Sequence, residues 1–172
     1  YPGHLLEVSQ IILAALIGFS FINLPPAKIF MGDTGSASLG FLLGGLIILD
    51  FIDSPLAASV WLVGLAYFIS DASVTLATRL IRGQKVYQAH REHAYQYLAN
   101  RWQASFQGSE IPEGKAGTYA HRYTLLGITA LFLFWQLPIA FLITNGYLSI
   151  LLGLTITYVP LCTLLILLGA GR

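Results

Sequence analysis

The chain has 172 residues, of which 56% are hydrophobic and only 10% charged, with a mean hydropathy of +0.71 and a net charge of +1. That composition excludes an ordinary water-soluble domain and reads as an integral membrane protein, with no nucleic-acid partner expected. The single cysteine, Cys162, lies in an apolar run, excludes an internal disulfide and reads as a packing residue.

Hydropathy picks out five candidate spans at about 5–22, 36–52, 56–78, 123–143 and 147–168. The expected fold is therefore all-α: a polytopic helical bundle with about five transmembrane helices and one large loop at about 79–122. The chain opens Tyr1-Pro2-Gly3-His4, without a start methionine or a signal peptide, and reads as part of a longer sequence. If the spans alternate, all nine lysines and arginines fall on one side: Lys28, those of the 79–122 segment, and Arg172. Asp50 and Asp53 fall on the other, so the positive-inside rule makes the basic side cytoplasmic. Gly40, Gly44 and Gly45 suggest close helix approach, and Pro138 and Pro160 suggest kinks in the last two spans.

Between the first two spans lies Asn23-Leu24-Pro25-Pro26-Ala27-Lys28-Ile29-Phe30-Met31-Gly32-Asp33-Thr34-Gly35-Ser36. Two prolines stop one helix, and Asp33 is placed to cap the next. A carboxylate among small residues at a helix start can instead hold a hard cation such as Mg²⁺, while the helix end attracts phosphate oxygens. Both readings, cap and metal ligand, stay open from the residues alone.

The third span carries Asp71, about two turns from Arg79. An acid inside a membrane helix is costly, so it is either functional or paired with a neighbouring helix through groups such as Ser73 or Thr75.

The long polar segment holds His90-Arg91-Glu92-His93-Ala94-Tyr95-Gln96. On a helix His90 and His93 would share a face, but no further cysteine or histidine completes an obvious zinc set. Phosphate handling suits the residues better: Arg91 as a bidentate fork, the histidines as donors or proton carriers. The competing reading is a basic loop drawn to anionic lipid head groups.

Three of these stretches carry a resemblance to one family: Pro26 to Ser36, the helix with Asp71-Ala72, Thr75-Leu76 and Arg79, and the His90 segment. The run Pro26 to Ser36 is similar to the signature of the polyprenyl-phosphate N-acetylhexosamine-1-phosphate transferases, the glycosyltransferase family 4 superfamily. His90, Arg91, His93, Tyr95 and Gln96 resemble the His-Arg-x-His-x-Tyr-Gln pattern of its bacterial surface-polysaccharide branch, not the histidine run of the peptidoglycan branch. Residues 108–117 depart from the pattern as an insertion. The resemblance covers the carboxy-terminal half of the family, whose upstream paired-aspartate and nucleotide-binding motifs are not in this chain; the fragment alone is expected to be inactive.

What the resemblance implies is transfer of N-acetylhexosamine 1-phosphate from a UDP-sugar to undecaprenyl phosphate, releasing UMP. That would be the first membrane step of a cell-surface polysaccharide, such as lipopolysaccharide or a cell-wall polymer. It implies Asp33 as catalytic residue and Mg²⁺ ligand (Mn²⁺ being the alternative metal), His90 and His93 as catalytic residues, and Arg91, Asn23 and Lys28 as substrate-binding residues. The implied place is the bacterial inner membrane, with the active face cytoplasmic and a homodimer as one expected assembly. Two other classes stand beside it: an ion-coupled transporter using Asp33 and Asp71 as a relay, and a non-catalytic membrane subunit.

Overall fold

The computed structural model describes residues 2–85, 92–106, 111–112 and 115–171, with side chains described from residue 5. Among the described residues all regular structure is helical. Helix α1 spans Pro2–Asn23, α2 Gly32–Asp53, α3 Pro55–Gly64, α4 Ala66–Ile81, α5 Ala94–Phe106, α6 Ala116–Leu131, α7 Leu137–Thr144 and α8 Ile150–Leu168. A π-helical turn, Phe132–Gln136, joins α6 to α7, so residues 116–144 form one continuous apolar rod. This is an all-helical, multi-pass membrane protein: α1, α2, the α6–α7 rod and α8 are each long and apolar enough to cross a bilayer.

The third expected span departs from a simple rod. Its two pieces, α3 and α4, bend by 68° at Leu65. A broken helix at membrane depth survives only where its freed backbone groups find partners within the protein. Here they do. The Tyr158 hydroxyl, from α8, donates to the Leu62 carbonyl at 2.9 Å. Gln136, in the π-turn and 1% exposed, turns its side-chain amide to donate to the Gly64 carbonyl at 3.2 Å and to accept from the Tyr67 amide at 3.3 Å. The irregularity expected from Pro138 thus lies just before that proline, in the π-turn, where it delivers Gln136. Helix α8 is helical throughout, Pro160 included.

Two apolar clusters hold the bundle together. Val63, Ile139, Ala140 and Ile143 join α3 to α7, and Ala66, Tyr67, Leu161 and Leu165 join α4 to α8. Helix α2 packs on α3, where the Trp61 indole donates to the Asp50 carboxylate. Helix α1 lies across a narrow apolar groove from them, lined by Leu13, Leu16, Leu43, Leu46 and Trp61. The large apolar side chains that α1 and α2 leave exposed, Phe21, Phe41 and Phe51 among them, suit contact with lipid.

Gly40, Gly44 and Gly45 do not mediate close packing within this chain: no atom lies within 4 Å of where a Cβ would stand on any of them. The close approach occurs instead at Gly153, where a Cβ would strike the Ile143 side chain.

Candidate functional site

The segment after α1 is locally stapled. Pro25 and Pro26 cannot continue the helix, and the chain folds back so that the Lys28 and Ile29 amides donate to the Ile22 carbonyl at 2.9 and 3.4 Å. The Asn23 side chain donates to the Ile29 carbonyl at 2.9 Å, closing the same turn. Asn23 thus orders the loop, and Lys28 projects from it as an exposed cation.

Asp33 is not the helix cap expected from the sequence. Helix α2 begins one residue earlier, at Gly32, with Met31 in the cap position and no side-chain cap bond. Gly32 turns the chain at a φ of +66°, a conformation that suits glycine, and this moves the helix start ahead of the aspartate. Asp33 sits exposed in the first turn, its carbonyl accepting from the Ser36 hydroxyl at 3.2 Å. Its carboxylate is not spent on capping, and it stands at the positive end of a 22-residue helix.

The second constellation is built around α4. Asp71, Thr75 and Arg79 recur every four residues and form one face of that helix, each at most 5% exposed. One Asp71 oxygen accepts from the Ala94 backbone amide at 2.9 Å, at the start of α5. The other faces His93 Nδ1 at 3.4 Å. Two turns further on, Arg79 pairs with the Glu92 carboxylate and donates to the Lys85 carbonyl at 3.1 Å. The end of α8 closes this cluster from the other side, the Gly171 amide donating to the Glu92 carbonyl at 2.8 Å. The His93 side chain stays 30% exposed, its ring stacked on Tyr95 at a centroid distance of 6.0 Å.

His93 precedes α5 and is not itself helical. His90 and Arg91 lie outside the described residues. The segment expected as one loop at 79–122 contains the end of α4, all of α5 and the first turns of α6. Its α5–α6 hairpin is held by an aromatic triad, Trp102, Phe106 and Tyr123, with centroids 5.5–6.1 Å apart.

The two constellations share one end of the bundle. Arg122, at the start of the α6 rod, donates from Nε to the Pro25 carbonyl at 3.1 Å and so joins the Asp33 loop to the α5–α6 hairpin. Among the described residues, no three His, Cys, Asp or Glu side chains converge as a metal cage. That does not fit a structural zinc site, which needs four protein ligands. The exposed Asp33 carboxylate is the kind of ligand that Mg²⁺ takes, one or two carboxylates with water and substrate phosphates completing the shell.

The sequence reading assigned no role to Arg79, Glu92 or Gln136. A signal existed for two of them. An acid and a base two turns apart on one apolar helix require partners, and Glu92-His93 offers a complementary pair.

Comparison with known proteins bears on the first of these elements. Residues 2–50, which comprise α1, the stapled loop, Asp33 and most of α2, match the family model described as Glycosyl transferase family 4. That segment is similar to glycosyl transferase family 4. The resemblance read from Pro26 to Ser36 stands on this match and on the relatives. A probable undecaprenyl-phosphate N-acetylglucosaminyl 1-phosphate transferase of Bacillus subtilis is 32% identical over 96 residues, covering 55% of this chain and 27% of that protein. A phospho-N-acetylmuramoyl-pentapeptide-transferase of Renibacterium salmoninarum is 37% identical over 90 residues, covering 51% and 23%. One from Staphylococcus haemolyticus is 46% identical over 66 residues, covering 38% and 19%. The chain thus spans about a quarter or less of the length of these relatives. No solved structure matches.

Proposed function

We propose that this chain is part of a membrane transferase that moves N-acetylhexosamine 1-phosphate from a UDP-sugar to undecaprenyl phosphate. In the reaction, a phosphate oxygen of the lipid attacks the sugar-bearing phosphorus of the UDP-sugar. A new P–O–P bond forms, the bond to the bridging oxygen breaks, and UMP leaves with that oxygen. The observation that carries the reading is the family-matched loop with its uncapped, exposed Asp33, tied through Arg122 to the hairpin that follows His93.

The physical demands of this reaction suit that end of the bundle. Two anionic phosphates have to meet, so fixed positive charge must offset their repulsion. Mg²⁺ held by Asp33 and the substrate oxygens supplies part of that charge when bound. Arg91 grips the diphosphate as a bidentate fork, and Lys28 adds a point charge from the stapled loop that Asn23 orders. His90 and His93 donate to, or exchange protons with, phosphate oxygens. The lipid is bilayer-bound and the nucleotide sugar water-soluble, so the site belongs at an interface. The one-sided placement of basic residues supports the cytoplasmic face of a bacterial inner membrane. The relatives include both aminosugar and muramoyl-pentapeptide transferases, and the His90–Gln96 pattern favours the aminosugar. An ion-coupled transporter using Asp33 and Asp71 as a relay is disfavoured because both Asp71 oxygens face the segment before α5, one accepting from the Ala94 amide and the other facing His93.

The test is release of UMP by membranes carrying the reading frame that encodes this chain. Release that requires Mg²⁺, UDP-N-acetylglucosamine or its epimer, and undecaprenyl phosphate together supports the reading. Absence of UMP while an assayed relative turns over in the same membranes overturns it.

A further inference from the structure

Asp71 is an acid buried in α4 whose two oxygens both point at the histidine segment and not at a neighbouring membrane helix. Oδ1 takes the Ala94 amide at 2.9 Å, and so satisfies a donor that the start of α5 would otherwise leave unpaired. Oδ2 lies 3.4 Å from His93 Nδ1, on a side chain 7% exposed. The stack on Tyr95 limits rotation of the same ring from its face. The ion pair from Arg79 to Glu92, and the Gly171 amide on the Glu92 carbonyl, fix the residue immediately before His93. So the backbone on both sides of His93 and its ring plane are restrained, and Asp71 alone both accepts from the Ala94 amide and faces Nδ1.

We propose that Asp71 is a positioning residue for His93. Its carboxylate holds the imidazole as the Nδ1–H tautomer, so that Nε2 carries the lone pair presented to the substrate phosphates. A carboxylate on one ring nitrogen sets which proton the other can take, as in acid–base pairs generally. This deepens the transferase reading and rests on it: Asp71 touches no substrate and acts through His93.

A double-mutant cycle on UMP release by the full reading frame tests the coupling. Asp71→Asn keeps an oxygen for the Ala94 amide and removes the charge facing His93. It is expected to lower kcat about ten- to hundredfold while KM for the UDP-sugar changes less than threefold. His93→Ala is expected to cost at least as much. The double variant should match His93→Ala alone, because Asp71 has nothing left to position. Losses that multiply in the double variant, or wild-type turnover in Asp71→Asn, would overturn the proposal. A second measurement needs no variant to be active. In protein labelled with ¹⁵N-histidine, the His93 resonances at neutral pH should be those of an Nδ1-protonated ring; an Nε2–H tautomer contradicts the proposal. If the wild-type protein releases no UMP, the transferase reading falls by itself, and the ring spectrum still decides the Asp71–His93 relationship.

Discussion

Arg122 Nε donates to the Pro25 carbonyl at 3.1 Å across 97 residues of sequence. The bond brings the loop that carries Asp33 to the same end of the bundle as the hairpin that follows His93. It therefore bears on topology as well as on the site. A chain whose α1–α2 link met the opposite side of the membrane from α6 could not make this contact.

Topology follows directly. Reporter fusions after Lys28 and Arg101 should both give a cytoplasmic signal, and fusions near Ser54 and Asn145 the opposite one. A cytoplasmic signal at Ser54 would break the arrangement, because α2 would then fail to cross.

The broken third span depends on Gln136. Replacing it with leucine keeps the volume roughly but leaves the Gly64 carbonyl and Tyr67 amide buried without partners. An unsatisfied buried group costs about 1–3 kcal/mol, so Gln136→Leu should lower thermal stability in detergent by several degrees. Gln103→Leu, at an exposed position on α5, should change it little. Equal stability of the two variants would mean that the break is satisfied in some other way.

The end of α8 is predicted to restrain the segment before α5. Gly171 has a φ of +75°, and a Cβ there would stand 2.8 Å from the Thr75 carbonyl oxygen. Gly171→Val should displace its amide from the Glu92 carbonyl. Hydrogen exchange in residues 92–95 should then quicken at least severalfold. Gly117→Ala, with open space around it, is the control and should leave exchange unchanged.

Arg91 separates recognition of a diphosphate from bulk attraction by a basic loop. Lysine keeps the charge but loses the planar fork. Charge-assisted hydrogen bonds contribute about 1.5–3 kcal/mol, so Arg91→Lys should reduce kcat/KM roughly ten- to hundredfold. Arg101→Lys should match wild type. If both variants do, the loop acts through charge alone.

The composition was enough to read a multi-pass helical protein, because apolar runs of bilayer length leave little choice. Three of the five expected spans lie within long helices, although the fourth begins at Ala116, well before the expected 123, and the fifth starts at Ile150, three residues after the expected 147. The extension of the fourth was hidden because residues 116–122 include His121 and Arg122, and helix α6 packs against α5. The break at Leu65 was also hidden. Residues 56–78 are apolar on both sides of it, and its stabilising partner, Gln136, is 71 residues away and delivered by a π-turn that leaves no sequence signature. Asp33 was legible as chemistry but misplaced as a cap, because Gly32 enters the helix at positive φ where a side-chain cap was expected. Asp71 was legible as a paired or functional acid. Its partner was not, since the pairing runs to the segment just before α5 and not to Ser73 or Thr75.

The central claim is that Asp33 serves chemistry and not the helix. Asparagine matches aspartate in helix starts but lacks the negative charge that binds Mg²⁺. The decisive measurement is UMP release by Asp33→Asn in the full reading frame, with thermal stability measured on the same preparation. The account predicts loss of turnover by at least about a hundredfold with stability near wild type. Turnover close to wild type, with unchanged Mg²⁺ dependence, would contradict it.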